Sequence, residues 1–315
     1  MRAQNGKIGL VNIEDFSTTI DLDGPINTAH MGDSGDAMLL VHGIGGSNLD
    51  WMGVVEELAK TNRVYAPDLI GFGRTPLKRR NASLESNTKM LARYIKEVIG
   101  EPVVLVGNSM GGLLAMVLAS KHPELVKKLV LVCPASWLPY NFPDKKIAAL
   151  FLLSLRPVFG SYVMHRLSRD QKPEEIVKLT LNDCCFDASA VTPEVVAARV
   201  RLEIERLQSQ WSYIGFMQAW RSILVLLGKA YLFDKIAKSI KVPTLLIQGE
   251  ADKVISVPAV KRLSKLRPDW EFSLMEHWGH APQIDKPLEF LRVLGDWMKL
   301  PEPATLLLVP DLVIE

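Results

Sequence analysis

The sequence predicts an α/β fold: a mostly parallel central sheet flanked by helices, with a helical lid inserted into it. Three observations carry this. Short, continuous apolar runs of strand length recur near 37–41, 63–66, 103–106, 129–132 and 244–249, and helical periods separate them. Strands apolar on both faces that alternate with helices form a parallel sheet covered on each side. Between 135 and 233 the alternation stops and only helical periods and prolines remain. Finally, the run 103–106 passes into the apolar helical stretch 113–119 through Gly107-Asn108-Ser109-Met110-Gly111, a strand–turn–helix with a serine at its apex.

The expected organisation is a core of residues 1–134 and 234–300, a lid of residues 135–233, and a C-terminal tail of residues 301–315. A chain of 315 residues can bury a large core. Its 48% apolar and 23% charged content is that of a folded globular protein rather than a disordered one. A formal net charge of +2 gives no electrostatic footprint for nucleic acid. The three cysteines, Cys133, Cys184 and Cys185, offer neither a disulfide framework nor a CxxC metal spacing, so a reducing, cytoplasmic setting is expected. Residues 1–8 carry no apolar stretch of a secretory leader. The most apolar segment, 147–155, is too short to span a bilayer, and no stable membrane insertion is expected.

In chain order, the runs 16–22 and 26–31 flank Asp23-Gly24-Pro25 and read as an antiparallel hairpin. The strand 37–41 ends in His42-Gly43-Ile44-Gly45-Gly46-Ser47, a collar that exposes backbone N–H groups. It lacks the spacing and the lysine of a phosphate-binding loop. Residues 51–60 read as a helix, 63–66 as a strand, and 67–74 as a turn-rich loop. Helical periodicity then runs over 84–99 and stops at Gly100. In the predicted lid, Trp211, Ile214, Met217 and Trp220 recur at every third residue, roughly one helical face. They are read either as lid-to-core packing or as an apolar substrate wall, with Trp137 a further candidate for that wall. The sheet resumes at 244–249, followed by Glu250-Ala251-Asp252, a helix over 257–266, a strand over 271–275, Trp278-Gly279-His280, and an amphipathic helix over 287–298.

The turn at Ser109 carries the chemistry. A strand that becomes a helix within so few residues strains the central residue and needs small neighbours, which Gly107 and Gly111 provide. That geometry lifts the hydroxyl clear of the sheet at the positive end of a helix dipole. The motifs His42-Gly-Ile-Gly45, Asp68-Leu-Ile-Gly-Phe-Gly73, Gly107-Asn-Ser-Met-Gly-Gly112, Gly249-Glu-Ala-Asp252 and Trp278-Gly-His280 occur in that order. Together they resemble the α/β-hydrolase superfamily, its lid-bearing serine hydrolases, over nearly all of residues 10–300. The resemblance implies Ser109 as nucleophile, His280 as general base and acid, and Asp252 as the carboxylate that fixes the imidazole tautomer. It implies the backbone N–H groups of Ile44 and Met110 as the oxyanion hole. His277 is the rival base, and Glu250 and Asp234 are rival acids. His42 is expected to hold the collar and Asp68 to tie its own turn.

A fold of this kind hosts many reactions, so the nucleophile must narrow them. Serine with an oxyanion hole suits acyl chemistry, and a carboxylic ester hydrolase acting on short-to-medium acyl or apolar substrates is the expected activity. A small-molecule ester is the expected partner, with no cofactor and no metal. The elbow Gly-Asn-Ser-Met-Gly-Gly also occurs in the branch that hydrolyses carbon–carbon bonds of ring-fission products, although the collar here departs from that branch. Carbon–carbon hydrolase, lactonase, perhydrolase, and a slowly hydrolysing lidded receptor are the alternatives.

Overall fold

The computed structural model describes residues 11–136, 172–209 and 211–299. Eight strands form one sheet: β1 (Ser17–Asp21), β2 (Pro25–Met31), β3 (Asp36–Val41), β4 (Asn62–Pro67), β5 (Val103–Asn108), β6 (Val126–Val132), β7 (Thr244–Gly249) and β8 (Glu271–Met275). Their spatial order is β1-β2-β4-β3-β5-β6-β7-β8. The β1–β2 and β2–β4 pairs are antiparallel, and every later pair is parallel. The predicted hairpin is the antiparallel edge of an otherwise parallel sheet.

The physical reason for the parallel part is burial on both faces. All six residues of β5 and all six of β7 are buried. Alternate side chains join two apolar clusters, one per face: Leu105, Leu129 and Leu246 in the first, Val104, Val130 and Leu245 in the second. Each fully buried side chain of this size stabilises the fold by roughly 1.5–3 kcal/mol.

The core helices are α1 (Val55–Ala59), α2 (Leu84–Tyr94) and α3 (Met110–Lys121). The insertion between β6 and β7 contributes α4 (Pro173–Cys184), α5 (Pro193–Leu207), α6 (Trp211–Leu227) and α7 (Ala230–Ser239), and α8 (Val257–Leu266), α9 (Pro282–Asp285) and α10 (Pro287–Met298) follow. Among the described residues, no helix is long and apolar enough to cross a membrane.

Several boundaries differ from expectation. The helix expected over 51–60 is instead a capped turn at Asn48–Trp51, where Ser47 Oγ accepts the Leu49 N–H, followed by the short α1. The helix expected over 84–99 changes to a wider turn at Ile95–Ile99 before Gly100 ends it at φ 80°. The expected lid boundary at 233/234 falls inside α7. This helix packs on α3 and α8, and its Phe233 and Ala237 belong to the core cluster under the sheet. Residues 137–171 and 301–315, and with them Trp137 and the predicted tail, lie outside the described residues.

Helix α5 is bound to the core by charge. Arg74, from the loop after β4, forms a bidentate pair with Glu205 at 2.7 and 2.9 Å and reaches Glu14 at 2.7 Å. Arg201 reaches the other oxygen of Glu14 at 2.8 Å.

Candidate active site

Ser109 sits between β5 and α3 at φ 56°. A non-glycine residue in this region is strained, and here the tight strand-to-helix turn enforces it. The glycines on either side are a steric requirement. A Cβ on Gly107 would lie 2.3 Å from the Gly111 carbonyl oxygen, and one on Gly111 would lie 2.1 Å from that of Val41.

His280 follows β8 in the loop leading to α9. Its Nδ1–H donates to Asp252 Oδ2 at 2.9 Å, because the carboxylate can only accept. Its backbone is pinned on both sides: the N–H donates to Cys184 O at 2.7 Å, and the carbonyl accepts from Asn108 Nδ2 at 2.9 Å. The end of α4 therefore fixes the loop that bears His280. Cys184 acts there through its backbone carbonyl, which leaves no sequence signature.

Asp252 lies in the loop after β7. Its Oδ1 accepts the N–H groups of Val254 at 2.8 Å and Ile255 at 2.9 Å. Burial opposes its ionisation, but the His280 bond and charge and the two N–H groups outweigh burial, and the carboxyl is held below its ordinary value.

Ser109 and His280 line one cavity of about 390 Å³, together with Gly43, Ile44 and Gly45 of the collar. Ile44 and Met110 have N–H groups that donate to no backbone acceptor among the described residues. Helices α4, α5 and α6 supply the facing wall, with Ile176, Leu181, Leu202 and Phe216 as its apolar part. Two arginines of α5 fasten this wall to the collar region: Arg199 pairs with Asp50 at 2.6 Å, and Arg206 donates to Gly45 O at 2.7 Å.

The expected aromatic wall is different in detail. Helix α6 lines the cavity with Ser212, Tyr213 and Phe216, whereas Trp211, Met217 and Trp220 are not among its lining residues. Met217 is buried (1% exposed), Trp211 packs on the core cluster, and Ile214 is 42% exposed. Of the two readings of these positions, lid-to-core packing fits Trp211 and Met217, and spacing explains why they form no cavity wall. Each step of three residues falls short of a full helical turn by about 60°, so the four positions fan around half the helix instead of forming one stripe.

The rivals sit elsewhere. His277 is exposed, with its ring against Phe186, and Glu250 is exposed. Asp234 is paired with Arg262 at 2.7 Å. His42 uses both ring nitrogens on the backbone: Nδ1–H donates to Gly43 O at 2.7 Å, and Nε2 accepts the Leu69 N–H at 3.0 Å. Asp68 accepts from Asn27 Nδ2 and from the N–H groups of Asn48 and Arg74, closing its own loop.

Metal-ligating chemistry gathers, among the described residues, at Cys133, Asp252 and His280, whose candidate ligand atoms lie within 4.8 Å of one another. Burial and the nearby Asp252 charge push the Cys133 thiol well above its ordinary value, so it stays a thiol and not the thiolate a metal takes. Asp252 and His280 are already engaged with each other. The set has the chemistry of a hydrogen-bonded acid–base pair, not of a metal centre.

An α/β sheet of this order, with a serine elbow, a carboxylate–imidazole pair and a glycine collar around one cavity, defines a class of hydrolase scaffold. The comparisons with known proteins agree. Residues 38–293 match the model of the alpha/beta hydrolase family, and the chain belongs to that family. The uncharacterised protein Rv2715 of Mycobacterium tuberculosis is 28% identical over 277 residues, 86% of this chain and 77% of that one. Human monoacylglycerol lipase ABHD6 is 26% identical over 266 residues, 83% and 75% of the two chains. The 2-hydroxy-6-oxo-2,4-heptadienoate hydrolase of Pseudomonas putida is 26% identical over 287 residues, 88% and 94% of the two. Among solved structures, a putative lipase of Acinetobacter baumannii superposes with a TM-score of 0.71 at 21% identity, covering 90% of each chain.

Proposed function

We propose that the protein is a serine hydrolase that cleaves carboxylic esters through an acyl-enzyme. One observation carries this reading: Ser109 and His280 face the same cavity while Asp252 holds His280 Nδ1–H. An alcohol is a poor nucleophile until a base takes its proton, and the free His280 Nε2 is that base. Attack by Ser109 Oγ on the ester carbonyl forms a tetrahedral oxyanion, which the N–H groups of Ile44 and Met110 stabilise. The imidazolium returns its proton to the leaving alcohol. Water, activated by the same His280, then releases the acid and frees Ser109. Written this way, the reaction needs no metal or cofactor. The apolar wall of α4, α5 and α6 supports a small ester with a short-to-medium acyl chain as substrate, and the free Cys133, Cys184 and Cys185 support a cytoplasmic setting.

A second reading is hydrolysis of a carbon–carbon bond in a ring-fission product. The Gly-Asn-Ser-Met-Gly elbow favours it, as does the likeness to the Pseudomonas putida hydrolase along most of its length. The test is hydrolysis of p-nitrophenyl esters from acetate to laurate, by the native chain and by Ser109→Ala. The proposal expects turnover that peaks at short or medium chains and collapses by at least about three orders of magnitude in the variant. Weak ester turnover, with cleavage of a vinylogous diketone that also needs Ser109, favours the second reading. Ester turnover that survives the substitution refutes both.

A further inference from the structure

Gln248, the penultimate residue of β7, is fully buried and was not singled out by the sequence. Its Nε2 lies 3.0 Å from Asp252 Oδ2, 3.0 Å from Gly249 O and 3.4 Å from Ile255 O. All three partners are acceptors, which assigns the amide nitrogen, not the oxygen, to this side. The amide oxygen is buried, with no partner among the described residues. With its nitrogen turned to these three acceptors, the amide is held in the orientation that serves Asp252.

Asp252 thereby receives four donors: two N–H groups on Oδ1, and His280 and Gln248 on Oδ2. That fills the approximately four lone-pair sites of a carboxylate. We propose that Gln248 is a positioning residue for the acid–base pair, fixing Oδ2 and sharing its negative charge with His280. The inference rests on the esterase reading above.

A second donor on Oδ2 takes a share of the negative charge that the His280 bond otherwise receives alone. Removing that donor leaves more negative charge facing the imidazole, and the acidic limb of activity is expected at higher pH. The other titratable groups facing the pair are the Cys133 thiol at the end of β6, the Cys184 thiol at the end of α4, and the Arg199–Asp50 pair. Burial pushes Cys133 well up and Cys184 up to about 12, so both stay neutral thiols through the working pH range.

The experiment measures kcat and KM for p-nitrophenyl butyrate from pH 5 to 9, with labelling by a fluorophosphonate probe, in the native chain, Gln248→Met and Gln248→Glu. The proposal expects Gln248→Met to lower kcat by roughly 10- to 100-fold, the rate equivalent of one lost hydrogen bond to a charged group, with KM nearly unchanged. The acidic limb of kcat/KM moves to higher pH. Gln248→Glu keeps the shape, and because two buried carboxyls this close do not both ionise, the new carboxyl keeps a proton that it donates to Asp252 Oδ2; it is expected to rescue kcat and the limb relative to Gln248→Met. A Gln248→Met limb that stays in place, with kcat within twofold of native, overturns the proposal and leaves Gln248 as a stitch in its loop. If Gln248→Met fails to fold, Gln248→Leu takes its place and is read by the same limb and kcat. A native chain that neither turns over the ester nor takes the probe on Ser109 refutes the esterase reading instead.

Discussion

Replacing Asp252 by asparagine keeps the shape of the side chain and reverses one half of its chemistry. Both carboxylate oxygens now accept two donors each, at 2.8 and 2.9 Å on Oδ1 and at 2.9 and 3.0 Å on Oδ2. An asparagine offers one acceptor and one NH2 group. Whichever way the amide turns, its NH2 faces two donors. Turned towards Val254 and Ile255, it leaves two backbone N–H groups unpaired; turned towards His280, it selects the tautomer with the proton on Nε2. The second orientation removes the free nitrogen that would take the Ser109 proton. Where an amide replaces the acid of a Ser-His-Asp triad, kcat falls by about four orders of magnitude. Buried donors left unpaired add a stability loss of roughly 1–3 kcal/mol each, before relaxation. The pH dependence has a definite sign. The Asp252 carboxyl sits below its ordinary value of 3.8, so its contribution to stability is complete above that pH and is lost as pH falls through the depressed folded value. The stability gap between native and Asp252→Asn therefore narrows on acidification below about pH 4. Initial rates with p-nitrophenyl butyrate, and urea unfolding at pH 7 and in acid, measure both effects. A variant whose kcat stays within tenfold of native would show that Asp252 does not orient the base.

Three further outcomes follow from the cavity and its supports. Phe216→Ala, which opens the cavity wall, is expected to move the acyl-length optimum towards longer esters, while Met217→Ala leaves the optimum in place and lowers stability by about 2–5 kcal/mol as a core cavity; equal shifts in the ester profile would refute this division. Gly111→Ala puts a methyl group 2.1 Å from Val41 O, so reaching the 3.0 Å that real Cβ contacts respect means parting α3 from the end of β3, where the collar begins, by about 0.9 Å. Displacement on that scale at the Ile44 N–H is expected to lower kcat by roughly 100-fold, and a folded variant with native kcat would contradict it. Arg74→Ala removes the half-exposed bridge among Glu14, Glu205 and α5, and urea unfolding should show a loss of roughly 0.5–1.5 kcal/mol that shrinks with added salt; no salt dependence would argue that the arginine acts by packing.

The sheet was legible because both its faces are covered: runs such as 103–106 and 129–132 are apolar at every position, and parallel pairing is what buries both faces. The elbow was legible for steric reasons, since Gly107 and Gly111 have no room for a Cβ. Helix ends were less so. Residues 51–60 contain helix formers, yet Ser47 caps a separate turn before α1, a tertiary choice that propensity does not encode. Spacing by threes left packing and cavity wall both open, because it resembles a stripe over one turn and drifts over three; Met217 packs, and Phe216 faces the space. Gln248 and the Cys184 carbonyl escaped notice for a common reason. A buried glutamine in an apolar strand and a backbone oxygen gain meaning only when the loops bearing Asp252 and His280 fold against them.

The most direct test of the central claim is the mass of the intact protein after exposure to a fluorophosphonate, followed by peptide mapping. One adduct is expected, on Ser109, formed rapidly by the native chain, absent from Ser109→Ala and slowed by orders of magnitude in His280→Ala. An adduct on another residue, or labelling of Ser109 at an undiminished rate without His280, would contradict it.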